Sequence, residues 1–542
     1  MFSNFKLIKM KSFKKIPIYI ISGMLFFSCT KNFQEINTRP DQPSTTTAQP
    51  LINHIISTLL LQWQEQASAH NDWYYPVTQL AGDVSGSGYV LANGVNDIWN
   101  DYYSTLQDIN NVQDIIDATK DKETMNNIQA VLYILKAYKT FRVTDQFGDI
   151  PYFDAAKAYT GDTKYYRPKY DSQEDIYKDL LKDLDWASKN IKTDANPVST
   201  AGNAYNTLGS FDTFFKGNMM LWLEFANSLR LRYSIQMYDK DPTDAAPIVQ
   251  DVIGNNLPVL KEGEDVGMWP KQLNGLEIDS RFWSFNSHKF LRMSTTFWNE
   301  VSDGPDSSNI FDPRTYLFFE TNQAGKWAPY TIGSSASDAV NPYKQDRDNN
   351  YSDKDGAKFS PFNYHLIRDQ FYIPELFMTT AEVHFLKAEA FMRGIGVAKD
   401  INMAETEYTA GVTSSVNFWY NIAHNTNTTN DDWAAVAPST PSSAQMAAFL
   451  ANPKVSFTGS DDDKLNKIYA QEWLSFFREP WLAFNLWRRT GRTPHEAIPT
   501  AYANFYRLPY PNIESIDNTV NYNAEISKIG SNGSDVKVWW MK

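Results

Sequence analysis

Apolar residues recur every three or four positions in four segments of the chain, and this spacing predicts four amphipathic helices. The first helix covers residues 128–141 and ends before Gly148, which marks a turn. The third ends at Gly394, and the fourth is followed by Pro480 and a short second piece. The apolar positions are Ile128, Val131, Leu132, Leu135, Tyr138 and Phe141; Phe215, Met219, Trp222, Phe225, Leu229 and Tyr233; Phe377, Ala381, His384, Phe385, Ala388 and Phe391; and Ile468, Tyr469, Trp473, Phe476 and Phe477.

These segments favour an all-α fold built from paired helices. Ala130 and Ala137 lie within the first helix, where small side chains let a partner helix approach closely. Such pairs are typical of tetratricopeptide-like repeats. Between residues 257 and 371 the helical spacing fades and Pro, Gly, Asn, Asp and aromatic residues dominate. A loop-rich region of this length is often functional, so we expect residues 257–371 to form an irregular region that faces a ligand.

The N-terminus has the pattern of an export signal. Lysines precede an apolar run, residues 16–27, that is too short to span a bilayer as a helix. Cys29, the single cysteine of the chain, follows this run and has no second cysteine for a disulfide. We interpret residues 1–28 as a lipoprotein signal peptide and Cys29 as the lipidated residue that tethers the protein to a membrane. The alternative is an ordinary cleaved signal with an incidental cysteine.

The segment after Cys29 reads as a linker. Residues 29–50 are rich in Thr, Gln, Asn and Pro and lack helix or strand periodicity, which predicts a flexible tether. No second linker of this kind follows, so residues 51–542 are expected to form one domain.

Charge and aromatic content narrow the class of partner. The formal net charge is −13, and because residues 1–28 carry five lysines and no acid, the remainder carries −18. An acidic chain of this kind argues against a nucleic-acid partner. Aromatic residues make up 15% of the chain, and exposed Trp and Tyr rings would suit sugars as well as peptides.

Catalytic and metal-binding motifs are absent from the sequence. None of the seven histidines belongs to a His-Glu-x-x-His motif, and there is no Walker loop, dinucleotide fingerprint or Gly-x-Ser-x-Gly elbow. The acidic stretch 346–356 lacks the glycine and terminal glutamate of a calcium loop in register. We expect no metal, no cofactor and no enzymatic activity, although a carboxylate pair for glycoside hydrolysis is a spatial arrangement that sequence alone leaves open.

Several stretches, in this order, resemble the SusD/RagB family of outer-membrane lipoproteins of Bacteroidota, in its SusD-like branch described as starch-binding proteins that associate with the outer membrane. They are CTKNFQEINTRPDQPS (29–44), ILKAYKTFRVTDQFGDIPYFDA (134–155), YDSQEDIYKDLLKDLDWA (170–187), WLEFANSLRLR (222–232), ELFMTTAEVHFLKAEAFMRG (375–394), AGVTSSVNFW (410–419), IYAQEWLSFFREPWLAFNLWRRTGRTP (468–494) and RLPYPNIE (507–514). Residues 257–371 match this family only loosely, through Phe311-Asp-Pro-Arg314.

The resemblance implies four tetratricopeptide-like helix pairs in a SusD-like α-α superhelix. It also implies a lipid-anchored protein of the cell outer membrane, facing the extracellular side, that captures glycan and passes it to a SusC-type TonB-dependent transporter. Two alternatives keep part of this picture. The cargo could be peptide, as in the RagB branch, or the protein could be a surface glycoside hydrolase.

Two groups of aromatic residues lie outside the helical stripes and are our candidates for ligand binding. Rings on surface loops could stack on a sugar, with Asp72, Arg281 and Asn286 available to bond hydroxyl groups. We expect Trp73, Trp283 and Trp327 to contribute most. The full set is Trp73, Tyr74 and Tyr75, just before Pro76, and Trp269, Trp283, Trp298, Trp327 and Tyr330 in the irregular region.

The polar residues of the family-like helices have a structural interpretation instead. Arginine forks bond well to carboxylates and to backbone carbonyl groups inside a protein. We therefore expect structural roles rather than ligand binding. Asn227, Arg230 and Arg232 should bond to neighbouring backbone and carboxylates, with Glu382 and Glu389 as charge partners. Arg488 and Arg489 should pin loops.

Overall fold

Helices dominate the folded chain, which confirms the all-α prediction. The computed structural model describes residues 47–84, 90–194, 197–269, 290–338, 340, 342, 356–368, 373–425 and 433–542. Cys29 and nearly all of the predicted tether lie outside these residues. The first helix begins at Ala48, slightly before the predicted start of the domain, and Ala48–Lys542 form one compact unit. No helix of the described part of the chain is long and apolar enough to cross a membrane.

The α-helices within the described residues are numbered here in chain order. They are α1 (Ala48–Ser57), α2 (Tyr75–Thr78), α3 (Leu91–Ala118), α4 (Asn126–Phe147), α5 (Gln173–Asn190), α6 (Met219–Met237), α7 (Pro242–Val249), α8 (Thr295–Val301), α9 (Thr315–Phe318), α10 (Tyr364–Arg368), α11 (Thr380–Arg393), α12 (Ile401–Asn425), α13 (Trp433–Val436), α14 (Ser443–Ala451), α15 (Asp461–Ser475), α16 (Pro480–Thr490), α17 (Thr500–Ala503), α18 (Glu514–Asp517) and α19 (Thr519–Ile529).

Other helical turns join or extend these elements. Two segments, Glu65–Tyr74 and Gln250–Gly254, are π-helical. The 3₁₀ turns are Lys122–Met125, Ala158–Thr160, Thr163–Tyr165, Gly209–Phe211 and Ser307–Asn309.

Neighbouring helices pack in sequence, as expected for helix pairs. Helix α4 packs between α3 and α5, and α5 also packs on α6. In the C-terminal half, α11 packs on both α12 and α15. Ala130 and Ala137 of α4 are fully buried, in agreement with a close approach of partner helices.

Local sequence determines where these helices begin and end. Thr379 caps α11 by accepting a hydrogen bond from the Glu382 N–H (3.3 Å), and Gly394 ends the same helix with φ +71°. The predicted start of α6 at Phe215 was too early. Asn218 caps α6, and Phe215 lies in a turn held by the Asp212 carboxylate.

Two small antiparallel sheets complete the fold. Strand β1 (Ala81–Asp83) pairs with β3 (Leu291–Met293), and β2 (Val266–Met268) pairs with β4 (Glu375–Met378). Phe377, predicted as helical, lies in β4. The irregular region 257–371 therefore contains β2, β3 and three short helices where it is described.

A buried carboxylate joins helices from distant parts of the chain. Asp145 on α4 accepts hydrogen bonds from Gln236 on α6 (2.8 Å), Asn485 on α16 (2.9 Å) and the Trp540 indole N–H (2.9 Å), as well as from the Tyr177 hydroxyl. The Asp145 side chain is fully buried. This network fixes the end of α4 relative to the C-terminal segment.

Candidate ligand-binding site

The first predicted aromatic group is mostly part of the core, so the prediction of exposed loop rings is wrong for Tyr74 and Tyr75. Tyr74 ends the π-helix, Tyr75 begins α2, and both are fully buried. Tyr74 donates to Gln146 Oε1 (2.6 Å), and Tyr75 donates to the Phe477 carbonyl (2.9 Å). These residues stabilise the fold and offer no ring face to a ligand.

Trp73 is half-buried, and a neighbouring ring already covers one of its faces. It stacks on Phe505 with ring centroids 4.6 Å apart, and Tyr502 meets its ring edge-on at 5.6 Å. Only part of the Trp73 ring is exposed, so a role of Trp73 in ligand binding stays a prediction.

The aromatic residues of the second predicted group lie in several different parts of the structure. Tyr330 is 3% exposed and belongs to a small apolar cluster with Val84 and Ile332, so the expectation of an exposed ring is wrong there too. Trp283, Arg281, Asn286 and the acidic stretch at 346–355 lie outside the described residues. Trp298, Trp327 and Trp269 are described, and the first two lie together.

Three rings form what we call the aromatic platform: Trp298, Tyr316 and Trp327. Trp298 and Trp327 stack with centroids 6.1 Å apart and an interplanar angle of 25°. Tyr316 meets Trp327 edge-on at 5.8 Å. Trp298 is 7% exposed, so the expectation of an exposed ring is wrong for this residue as well, and its part is to pack against Trp327. Trp327 is half-buried and Tyr316 is 38% exposed.

Short hydrogen-bonded segments hold the two tryptophans of the platform. Ser294 caps α8 by accepting from the Phe297 N–H (2.9 Å), which fixes the turn that carries Trp298. Trp327 follows a tight turn in which Asn322 and Lys326 bond to each other. The next residue, Ala328, is held by Ser360 of the neighbouring segment. The Ala328 carbonyl oxygen accepts from the Ser360 N–H, and the Ala328 N–H donates to Ser360 Oγ (3.0 Å). The Trp327 ring is therefore displayed on a constrained backbone.

A buried ion pair holds Tyr316. Arg314, directly before α9, bonds to both carboxylate oxygens of Asp312 (3.0 and 2.6 Å). The same guanidinium donates to Gln471 on α15 (2.6 Å) and Ser415 on α12 (2.9 Å). All five donors of a guanidinium form a rigid fork, so these bonds fix the base of α9 against the helical body.

Polar side chains lie on α8, the helix that carries Trp298. Asn299, next to Trp298, is exposed and donates to Glu496 Oε1 (2.7 Å), and Thr295 donates to Glu496 Oε2 (2.9 Å). The Tyr316 hydroxyl donates to the Ser307 carbonyl oxygen (3.4 Å), and partial burial raises the pKa of this hydroxyl. Flat rings with hydrogen-bonding groups at their edges can stack on a sugar face and bond its hydroxyl groups.

Trp269 lies apart from the platform, at the wall of a cavity of about 370 Å³. Phe215 and Leu221 supply further apolar walls, and Glu264 and Asp265 line the polar side. Burial raises the pKa of Asp265 to about 6, although its carboxylate accepts a hydrogen bond from the Thr380 N–H (2.9 Å). Ligand binding by Trp269 stays a prediction.

Sequence reasoning missed Tyr316, because its position beside Trp327 is a property of the fold. One signal was present in the sequence: Tyr316 follows the Phe311-Asp-Pro-Arg314 stretch, whose ion pair supports it. Within the described residues there is no group of three or more His, Asp or Glu side chains that could hold a metal ion.

The polar residues with a predicted structural role bond to carboxylates and backbone carbonyl groups of the protein itself. Arg232 pairs with Glu382, and both are buried. Arg489 donates from Nη1 and Nη2 to the two carboxylate oxygens of Glu389 (2.6 and 2.8 Å). Arg488 donates to the carbonyl oxygens of Asp145 and Tyr506. These groups are buried in the helical core.

Comparisons with known proteins agree with this architecture. The SusD-like family model described as "starch-binding associating with outer membrane" matches residues 40–511. No curated protein sequence matches the chain.

Among solved structures, a chitin-binding protein is 22% identical, with a TM-score of 0.69 and coverage of 92% of this chain and 100% of its own. A chitin-binding SusD homologue from Flavobacterium johnsoniae is 21% identical, with a TM-score of 0.64 and coverage of 91% and 97%. A SusD-like protein from Bacteroides thetaiotaomicron is 19% identical, with a TM-score of 0.65 and coverage of 91% and 98%. At this identity the likeness establishes the fold.

Proposed function

The chain belongs to the SusD-like family, and from that premise we propose that it is a non-enzymatic glycan-binding lipoprotein of the cell surface. It captures oligosaccharide or polysaccharide at the aromatic platform. It is held at the outer membrane by acyl chains on Cys29, and it delivers its cargo to a SusC-type TonB-dependent transporter.

The observation that carries this proposal is the platform itself. Trp327 and Tyr316 present aromatic surface to solvent on a backbone that is fixed by the Ser360 bonds and the Arg314–Asp312 ion pair. A rigid, partly exposed platform needs little ordering when a ligand binds. Its shallow form suits a protein that must release its cargo to a partner, since few groups are available to enclose the ligand.

The descriptions of similar proteins indicate the chemical class of the ligand. Two solved neighbours are named for chitin binding, and the family is described as starch-binding. Both polymers are built of pyranose rings, whose faces stack on aromatic side chains. We therefore propose neutral, pyranose-based glycans as the main ligands of the platform.

A binding titration tests the proposal. The purified mature protein, kept in detergent, is titrated with maltooligosaccharides and chitooligosaccharides by calorimetry. Trp327→Ala should weaken binding by about 1–3 kcal/mol, as expected for loss of an aromatic anchor. The melting temperature should hardly change, because the ring is only half-buried.

Tyr166→Ala is the matched control, because Tyr166 is 57% exposed and is not a platform residue. This control should bind as the unaltered protein does. Full affinity in Trp327→Ala would overturn the platform as the glycan site. Binding of peptides in place of both oligosaccharides would favour the RagB-like alternative.

A further inference from the structure

The cavity of about 370 Å³ beside Trp269, which we call the Trp269 cavity, lies between two segments of the chain. One segment is the turn before α6 with the first residues of that helix, and the other is the loop before β2 with β2 and the residue after it. The cavity shares no residue with the aromatic platform. Its lining residues are Phe214, Phe215, Lys216, Leu221, Gly263, Glu264, Asp265, Gly267 and Trp269.

A buried carboxylate fixes the first wall of the Trp269 cavity. Asp212, which is fully buried, accepts hydrogen bonds from the backbone N–H groups of Phe214 (3.0 Å) and Phe215 (2.8 Å). It also accepts from the Gly217 N–H (2.8 Å) and from the Trp222 indole N–H on α6 (2.9 Å). The turn that carries Phe215 is therefore held against α6 by four hydrogen bonds to one side chain.

Hydrogen bonds to α11 and to β4 fix the second wall. The Asp265 carboxylate accepts from the Thr380 N–H (2.9 Å), and the Thr380 hydroxyl donates to the Lys261 carbonyl oxygen (2.9 Å). The strand that follows this loop, β2, pairs with β4. Two walls that are fixed in this way need little ordering when a ligand enters.

The lining combines apolar surface with hydrogen-bond acceptors. Phe215, Leu221 and Trp269 are half-buried, so part of each side chain is open at the cavity. The ionised carboxylates of Glu264 and Asp265 only accept hydrogen bonds, and each has about four lone-pair sites. Asp265 therefore keeps acceptor capacity beyond its backbone bond to α11. Such a lining fits a molecule that has an apolar face and hydroxyl donors at its edge.

The charges around the cavity nearly balance. Lys261 pairs with Glu264 (3.0 Å) and with Glu224 outside the lining (3.0 Å). Within the lining, the carboxylate of Asp265 is accompanied by the ammonium group of Lys216. The remaining excess is small and negative, which disfavours an anionic sugar, and the Lys216 ammonium disfavours a cation. These charges fit a neutral ligand.

We propose that the Trp269 cavity is a second glycan site, which takes the terminal pyranose ring of a neutral glycan. Trp269 and Phe215 contact the apolar faces of the sugar, and Asp265 and Glu264 accept hydrogen bonds from its hydroxyl groups. The volume of about 370 Å³ is at the small end of the range for ligand pockets, about 300–1,000 Å³, and suits the end of a chain rather than a long run of rings. This inference rests on the proposed function and adds a site to the platform.

Saturation-transfer NMR tests the cavity with methyl glucoside and methyl glucuronide as probes. The purified mature protein carries Trp327→Ala, so that the platform contributes little to binding. Methyl glucoside should bind at least threefold more tightly than methyl glucuronide, because the acids of the lining repel a carboxylate. Adding Trp269→Ala should weaken methyl glucoside binding at least tenfold, since a stacking ring is lost. The melting temperature should hardly change, because Trp269 is only half-buried.

Met220→Ala is the matched control, because Met220 is 40% exposed, precedes Leu221 on α6 and is not a lining residue. It should change methyl glucoside binding less than twofold. Leu221→Trp is a second test, since the larger side chain occupies part of the cavity without removing a core residue. It should weaken methyl glucoside binding at least tenfold, and it decides the matter if Trp269→Ala alters the melting temperature.

Absence of methyl glucoside binding to the Trp327→Ala protein would overturn the proposal, as would full binding after Trp269→Ala in a protein that melts normally. Equal binding of methyl glucuronide would overturn the assignment of a neutral ligand. The two sites can fail separately. The platform fails if Trp327→Ala keeps full affinity for the oligosaccharides, whereas the cavity fails if the double variant keeps full affinity for methyl glucoside.

Discussion

Glu389→Gln should destabilise the protein by an amount that the structure lets us calculate. Glu389 on α11 is fully buried and accepts hydrogen bonds from Arg489, Arg393 (2.7 Å) and Tyr469 (2.9 Å). Burial alone would raise the pKa of Glu389, but the attraction of Arg489 and Arg393 outweighs burial and lowers the pKa from 4.5 to about 2. Such a shift corresponds to about 3 kcal/mol of stability at neutral pH.

This free energy converts into a shift of the melting temperature. An unfolding entropy of about 2 cal/mol/K per residue gives roughly 1 kcal/mol/K for a folded body of roughly 500 residues. Glu389→Gln should therefore lower the melting temperature by about 3 °C at pH 7, followed by circular dichroism at 222 nm. Glu405→Gln is the matched control, because Glu405 is exposed and its substitution removes the same charge.

The pH dependence tests the reasoning further. A carboxyl whose pKa is lowered by folding contributes its full stability above pH 4.5 and loses it as the pH falls towards 2. The difference between the unaltered protein and Glu389→Gln should therefore fall to about half at pH 3. A shift below 1 °C at pH 7, or an equal shift at pH 7 and pH 3, would refute the assignment of this ion pair as a stabilising one.

Three further predictions concern the anchor, the core and the absence of catalysis. Cys29→Ala should release the protein from the outer membrane into the soluble fraction, and retention with palmitate labelling would contradict the lipoprotein interpretation. Trp222→Asp should unfold the chain, because it places a second carboxylate beside the buried Asp212. Trp222→Phe should lose only the indole hydrogen bond to Asp212 (2.9 Å), so thermal melts should show a loss of about 1–3 kcal/mol in the free energy of unfolding. Incubation with starch or chitin oligosaccharides should release no new reducing ends, and steady release that is abolished by changing one Asp or Glu would indicate a glycoside hydrolase.

The fold could be predicted largely from hydrophobic spacing. The stripes through Leu135 and Trp222 correspond to α4 and α6, since each of these helices packs against neighbours that require apolar residues at helical spacing. The start of α6 was misplaced, because Phe215 continues the spacing while the Asn218 cap determines the boundary.

The aromatic group at residues 73–75 was misjudged for a different physical reason. Glu65–Tyr74 is π-helical, with hydrogen bonds to the fifth residue back, and it is buried on most sides. A helix that is buried all round has no polar face, so its sequence shows no amphipathic pattern. Tyr74 and Tyr75 therefore resembled loop residues.

The candidate site was predictable only in part. Trp298 and Trp327 stood out as tryptophans in a region without helical periodicity. Their contact with each other, and with Tyr316, depends on the Ser360 bonds and on the bonds from Arg314 to Ser415 and Gln471, which join segments far apart in the chain. Sequence spacing carries no information on such contacts.

The buried Asp145 network has a consequence for the order in which the protein is made. Asp145 is on an early helix, but one of its donors, Trp540, lies 395 residues later. A nascent chain on the ribosome holds this carboxylate without its indole partner until residue 540 has been made. Early helices can form and pack, but this hydrogen-bond network stays incomplete until then. Late closure of this kind keeps a polypeptide unfolded for longer, which agrees with the proposed function, in which the protein is exported before it folds.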